Sequence, residues 1–158
     1  MSSDSARPTG PATTQYPLRG IRVVDFGLVW AGPGLTLLLA DMGAEIIKVE
    51  SHRHIDMLRL FAPYAEGRSV HEDASATFHA LNRNKLGIAL DLEHEEAREL
   101  VKRLVAKSDV VAENFSPRAM RNWGLGYEEL RKAKPDIIMV SLSAAGQTGP
   151  LRDTMTYG

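Results

Sequence analysis

Apolar and polar positions along this chain fall into short blocks that alternate between two periods. Ile21-Arg22-Val23-Val24-Asp25-Phe26 is brief and β-branched, the signature of a strand. After Gly32-Pro33-Gly34, the stretch from Leu35 to Met42 is rich in Leu and Ala and closes on Gly43. It predicts a short, almost wholly apolar helix with a glycine stop. Ala44 to Glu50 predicts a second strand, Gly87 to Asp91 a third, Asp109 to Ala112 a fourth and Ile137 to Leu142 a fifth. His52 to Arg68 mixes charges with a proline and reads as an irregular surface excursion, and Ala74 to Leu81 as a helical turn or two. The clearest helix is Glu93 to Lys107, where Ala97, Leu100, Val101, Leu104 and Val105 form one apolar stripe. Acidic residues open it and Lys102, Arg103 and Lys107 lie toward its end, as the helix dipole favours. Glu128 to Lys134 predicts a short helix stopped by Pro135.

Strands that read as continuous apolar runs, separated by helical crossovers, point to a parallel sheet covered on both faces. The expected fold class is α/β, a Rossmann-like, doubly wound, mostly parallel sheet. Residues 1–16 are rich in Ser, Thr, Pro and Gly, lack periodicity and have no apolar core of a signal peptide. They read as a disordered leader, which leaves residues 17–158 for one domain.

Composition narrows the chemistry. Nineteen basic against 20 acidic residues leave a net charge of −1 over 158 residues, so no bulk attraction to nucleic acid or to an anionic membrane is expected. The absence of cysteine excludes disulfides, thiolate-held metals and a thiol nucleophile. The longest apolar run, Leu35 to Ala40, is far short of the ~20 residues that span a bilayer, and a soluble, cytoplasmic chain is expected. His52 and His54 are the only close histidine pair, with no acidic residue at helical ligand spacing, so no metal site is expected.

In an open α/β sheet, ligands sit beyond the carboxyl ends of the strands, which singles out four loops. Gly27 to Gly34 suits either a backbone approaching an anionic ligand before a helix or a tight strand-to-helix turn. Its spacing is not that of a dinucleotide fingerprint, and Pro33 removes a donor. The stretch from Ser51 onward follows the second strand. Glu113-Asn114-Phe115-Ser116-Pro117-Arg118 joins an amide, an aromatic and a cation, suited to an adenine or phosphate-bearing ligand. It also reads as a capped start to the next helix with Pro117 in its first turn. Ser143 to Pro150 is a small-residue loop, able to bring N–H groups to a substrate or to serve as a connector. Asn82-Arg83-Asn84-Lys85, just before the third strand, offers two amides and two cations, for phosphates or for a solvated turn. Asp25 reads as a turn-capping residue, with a general base as the alternative.

Several of these segments together resemble one family. Pro17-Leu18-x-Gly20-Ile21-x-Val23-Val24-Asp25-Phe26, Ala31-Gly32-Pro33 and Leu39-Ala40-Asp41-Met42-Gly43-Ala44-Glu45-Ile46-Ile47-Lys48-Val49-Glu50 resemble the opening of the class III CoA-transferases. That family includes formyl-CoA, carnitine-CoA and bile-acid-CoA transferases and the related α-methylacyl-CoA racemases. The likeness continues in Asn82-x-Asn84-Lys85, Leu90-Asp91-Leu92, Asp109-Val110-Val111-x-Glu113-Asn114-Phe115-x-Pro117 and Ser141-x-Ser143-x-x-Gly146-Gln147-Thr148-Gly149-Pro150.

The resemblance implies the CoA-binding, N-terminal part of a transferase subunit, with coenzyme A and acyl-CoA as substrate and no permanently bound cofactor. It implies a carboxylic acid acceptor, and an interlocked homodimer at full length. An Asp carboxylate would attack the thioester to form a mixed anhydride, and CoA would pass to the acceptor through enzyme-bound intermediates. By position, Val29, Trp30 and Ala31 would lie near the reacting thioester, and Asn82, Arg83, Asn84 and Lys85 would meet the nucleotide. Asn114, Phe115 and Ser116 would do so too, and Leu142, Ser143 and Ala144 would follow the pantetheine arm. Trp30 and Ser51 depart from the formyl-CoA transferase branch, which has Gln and a basic residue there. The nucleophilic Asp is expected beyond Gly158, since Asp153 lies too close to the Gly-Gln-Thr-Gly-Pro loop, so the isolated chain is expected to be truncated and inactive. The racemase branch, with its His at the Tyr157 position, and a non-catalytic CoA- or nucleotide-binding module are the alternatives. A half that interlocks with a partner exposes apolar surface, which predicts marginal solubility.

Overall fold

Residues 16–64, 73–152 and 154 are described by a computed structural model of the chain. The β-branched runs form strands β1 (Arg22–Asp25), β2 (Glu45–Glu50), β3 (Lys85–Ala89), β4 (Val110–Glu113) and β5 (Ile138–Ser141). They make one five-stranded sheet in the order β3-β2-β1-β4-β5. Every pairing is parallel. β1 is therefore central, and Val23 and Val24 are fully buried on its opposite faces.

Helices α1 (Ala31–Asp41), α2 (Ala76–Asn82), α3 (Glu95–Val105), α4 (Pro117–Asn122) and α5 (Tyr127–Ala133) cover the sheet. Alternation along the strands sorts the core into two layers. Val24, Phe26, Val49 and Val111 pack with Val101 and Val105 of α3, Met120 of α4 and Leu130 of α5. Val23, Ile46 and Ala112 pack with Ala40 of α1 on the other face. The doubly wound, Rossmann-like α/β sheet expected from the sequence is the observed fold, with all of its strands parallel.

Four elements differ from expectation. α1 begins at Ala31, four residues before the expected Leu35. Pro33 and two glycines sit in its first turns, where backbone N–H groups have no intrahelical partner and proline costs little. β3 starts at Lys85 because Asn84, at φ 61°, turns the chain sharply into the strand. The expected excursion after β2 contains a 3₁₀ turn (Met57–Leu60) whose Leu58 is fully buried, and the preceding Asp56 is buried as well. In α3, Ala97, Val101 and Val105 are buried as the stripe requires, but Leu100, at its edge, is 45% exposed. Of the expected leader only Tyr16 is described, and its carbonyl accepts the Arg19 N–H at 3.1 Å. No helix among the described residues is long and apolar enough to cross a membrane.

Candidate functional site

β1 ends on Asp25, whose carboxylate is buried. Its Oδ1 accepts the Gly27 N–H at 2.7 Å, the turn-capping role expected of it. Its Oδ2 accepts the Thr36 hydroxyl of α1 at 2.6 Å and the Lys85 ammonium at 3.1 Å. The loop that follows is held one residue at a time. Asn114, just past β4, accepts the Leu28 N–H and donates to the Leu28 carbonyl, each at 2.8 Å. Asp56 Oδ1 accepts the Val29 N–H at 3.1 Å, and Lys48 of β2 donates to the Gly27 carbonyl. Lys48 and Asp56 are themselves a buried pair, 3.1 Å apart.

Val29 sits at φ 64°, a left-handed conformation in which a β-branched residue is strained. Trp30 and Ala31 then emerge exposed at the start of α1. Behind them the backbones of loop and helix touch. A Cβ on Gly27 would lie 2.6 Å from the Gly32 Cα, and one on Gly32 would lie 2.4 Å from the Gly27 Cα. Only glycine fits at either position. This is the tight strand-to-helix turn, one of the two alternatives posed above.

Next to this loop, beyond the carboxyl ends of β1 to β4, lies a cavity of about 360 Å³. Its walls are apolar: Phe26 and Leu28 from the loop, Val49, Leu90, Leu92, Phe115 and Trp123. Phe115 and Trp123 meet edge to face with centroids 5.3 Å apart. Polar groups stand among them, including Glu50, Ser51, Asp91 and Glu93. Trp123 is fixed by donating its indole N–H to Glu93 at 3.1 Å. Glu50 Oε1 accepts from Arg59 at 2.6 Å, while its buried Oε2 has no partner among the described residues. An apolar slot with aromatic walls and a few polar groups suits a flat heterocycle.

The residues singled out from sequence divide into groups. Val29, Trp30, Ala31, Asn114 and Phe115 converge, joined through Leu28. Ser116 occupies the N-cap position of α4 with Pro117 in the first turn, but its hydroxyl makes no capping bond. Leu142, Ser143 and Ala144 follow β5 along the same carboxyl edge. There the Leu142 N–H bonds the Glu113 carbonyl at 2.9 Å. Glu113 is buried, and its carboxylate accepts the Phe115 N–H at 2.7 Å. Burial pushes its pKa above the ordinary glutamate value, against hydrogen bonds from Ser141 and from the Phe115 N–H.

Asn82, Arg83, Asn84 and Lys85 are not brought to this cluster as a unit. They precede or begin β3, and thus lie at the amino edge of the parallel sheet. Arg83 pairs with Asp41 at 2.7 Å, and Asn84 donates to the same carboxylate at 3.1 Å. Asn82 donates to the Phe78 carbonyl at 2.9 Å. Lys85 alone reaches inward. Its buried ammonium contacts Asp25 and Asn82 at 3.1 Å, the Pro33 carbonyl at 3.0 Å and the Thr36 hydroxyl at 2.8 Å. Burial lowers its pKa from the ordinary lysine value, and Asp25 opposes that. Four protein oxygens thus surround an ammonium that has three protons to donate.

Lys48, Asp56, Trp123 and the stretch Leu90 to Glu93 escaped the sequence reading as site residues. Leu90 to Glu93 follows β3 at the carboxyl edge, and the rule that selected the other loops also applies to it. Asp153 and Tyr157 lie outside the described residues. Among the described residues, no three His, Asp or Glu side chains are grouped to hold a metal ion.

The chain is 44% identical over 142 residues to the succinyl-CoA–D-citramalate CoA-transferase of Chloroflexus aurantiacus, covering 90% of this chain and 34% of that protein. It is 43% identical to the succinate–glutarate CoA-transferase of Agrobacterium fabrum, covering 89% of this chain and 36% of the relative. A crystal structure of a CAIB/BAIF family protein from Brucella suis superposes with a TM-score of 0.81 at 41% identity, over 90% of this chain and 37% of that one. The chain thus spans about a third of the length of the relatives it matches. The sequence profile of CoA-transferase family III matches residues 18–158, and the chain belongs to that family.

Proposed function

We propose that this chain is the coenzyme A-binding part of a transferase that moves CoA between an acyl-CoA thioester and a carboxylic acid. The observation that carries the reading is the family match across residues 18–158. The aromatic-walled cavity beside the clamped loop supports it. The cavity takes the nucleotide of CoA, with the adenine against Phe115 and Trp123 and between Leu28 and Leu92. Val29, Trp30 and Ala31 face the thioester end, and Leu142, Ser143 and Ala144 follow the pantetheine arm. Arg83 and Asn84 are left out of the contact set, because Asp41 holds both at the other edge. Lys85 serves by bracing Asp25 and α1.

Catalysis in this reading uses an Asp carboxylate supplied from beyond Gly158 within a full-length homodimer. It attacks the thioester carbonyl, the carbon–sulfur bond breaks and CoA leaves as the thiolate, forming a mixed anhydride. The thiolate then attacks the aspartyl carbonyl of the anhydride, which releases the donor carboxylate and leaves an aspartyl-CoA thioester. The acceptor carboxylate displaces the thiolate from it as a second anhydride, and thiolate attack on the acceptor carbonyl gives the new thioester and frees the Asp. Relatives named for succinyl-CoA and small dicarboxylates make succinyl-CoA the donor to test first.

Calorimetric titration of the 158-residue chain with succinyl-CoA should give saturable binding, and addition of a dicarboxylate should give no transfer. The absence of both heat and a melting shift would sink the binding claim. Turnover above background would sink the assignment of the nucleophile to another segment.

A further inference from the structure

We propose that Asp56, acting with Lys48, is a positioning residue that sets the Val29–Ala31 backbone for the acyl end of a CoA thioester. This rests on the functional reading above and adds to it a residue that touches no ligand. Asp56 lies in a stretch that has no periodicity, yet it is fully buried and both carboxylate oxygens are used. Oδ1 accepts the Val29 N–H at 3.1 Å and the Leu58 N–H at 3.0 Å. Oδ2 meets the Lys48 ammonium at 3.1 Å, and that ammonium also donates to the Gly27 carbonyl. The pair therefore grips the loop at residues 27 and 29, on either side of Leu28, which Asn114 holds.

A buried ion pair is a poor source of stability, because desolvating both charges offsets their attraction. This pair has a local task instead. Val29 at φ 64° is strained, and such strain persists only where surrounding bonds over-determine the backbone. Gly27, Leu28 and Val29 each donate their N–H to a different side chain, on Asp25, Asn114 and Asp56. A connector needs no such bracing. Its consequence is a fixed direction for Trp30 and Ala31, the two exposed residues that follow.

Two double variants isolate the anchor. Both carry Lys48→Met, so that neither strands a buried cation. One adds Asp56→Ala, and the other adds Asp56→Asn, whose amide oxygen can still accept the Val29 N–H. Each is titrated with acetyl-CoA and with adenosine 3′,5′-bisphosphate, and exchange of the Val29 amide is followed by NMR. In the Ala variant, acetyl-CoA affinity should fall about tenfold and bisphosphate affinity by less than about twofold, with protection of the Val29 amide lost. The Asn variant should recover most of both the affinity and the protection. Equal losses for the two ligands, or an unchanged Val29 amide, would overturn the proposal. Should the Ala variant fail to fold, Lys48→Met with Asp56→Leu fills the vacated space while still offering the Val29 N–H no acceptor. It should show the same ligand split, and a proportional loss for both ligands would overturn the proposal. A parent chain that binds neither ligand would overturn the functional reading and the ligand half of this one, while Val29 exchange would still decide whether Asp56 anchors the loop.

Discussion

Glu113 shows how one buried carboxylate sets a pH dependence. Burial raises its pKa in the folded chain. Between the ordinary glutamate value of about 4.3 and the raised folded value, the native state holds a proton that the unfolded chain has released. Stability from this group is complete at acid pH and is lost as pH rises through that window. In Glu113→Gln the charge is gone, and an amide oxygen remains for the Phe115 N–H. The variant should melt close to the parent near about pH 4 and above it near about pH 8. A melting difference that is the same at both pH values would assign the effect to packing. Asp25 was legible in the sequence, because an Asp at a strand end before a glycine turn has a local task. Lys48 and Asp56 were not. They sit eight residues apart without pattern, and only the placement of β2 beside β1 puts an ammonium under the Gly27 carbonyl. The bracing role of Lys85 was hidden for the same reason, since its partner Asp25 is 60 residues away.

At the scale of elements, the join between β1 and α1 rests on two glycines in backbone contact. Gly32→Ala places a methyl 2.4 Å from the Gly27 Cα, where no flexible side chain can yield. The expected cost is about 2–3 kcal/mol, read from urea unfolding as a lower midpoint with unchanged slope. Gly34→Ala, two residues on, meets nothing within 4 Å and serves as the control. Strands and the longer helices were legible because their periodicity is set by burial. The start of α1 was not, because Gly-Pro-Gly reads as a breaker wherever the tertiary context is unknown. The stripe of α3 was legible except at its edge, where exposure depends on how far the neighbouring elements extend. The cavity was half legible: Phe115 announced itself after a strand, whereas Trp123 enters from the end of α4 and touches the site only through the fold.

For the whole molecule, the alternation of elements foretold the parallel, doubly wound sheet, but not which parts of it stay bare. Leu86 on β3 is 58% exposed and Ile138 on β5 is 59% exposed, one on each edge strand. Edge strands with apolar side chains and open hydrogen-bonding rims favour self-pairing. The chain should therefore sediment faster as its concentration rises, and Ile138→Lys should weaken that dependence. A parent whose sedimentation coefficient is independent of concentration would remove this expectation, and with it the marginal solubility read from the sequence.

The contact between Gly27 and Gly32 has a consequence for how such a site can change. With the backbone pressed against itself and each successive amide of the loop already committed, the segment has no slack to lengthen, swing or reroute. If this loop meets the acyl end of the thioester as proposed, a new acyl preference does not arise by remodelling the main chain. It is then written in the exposed side chains of Trp30 and Ala31. On that proposal, exchanging Trp30 is the shortest route to a different substrate on an unaltered frame.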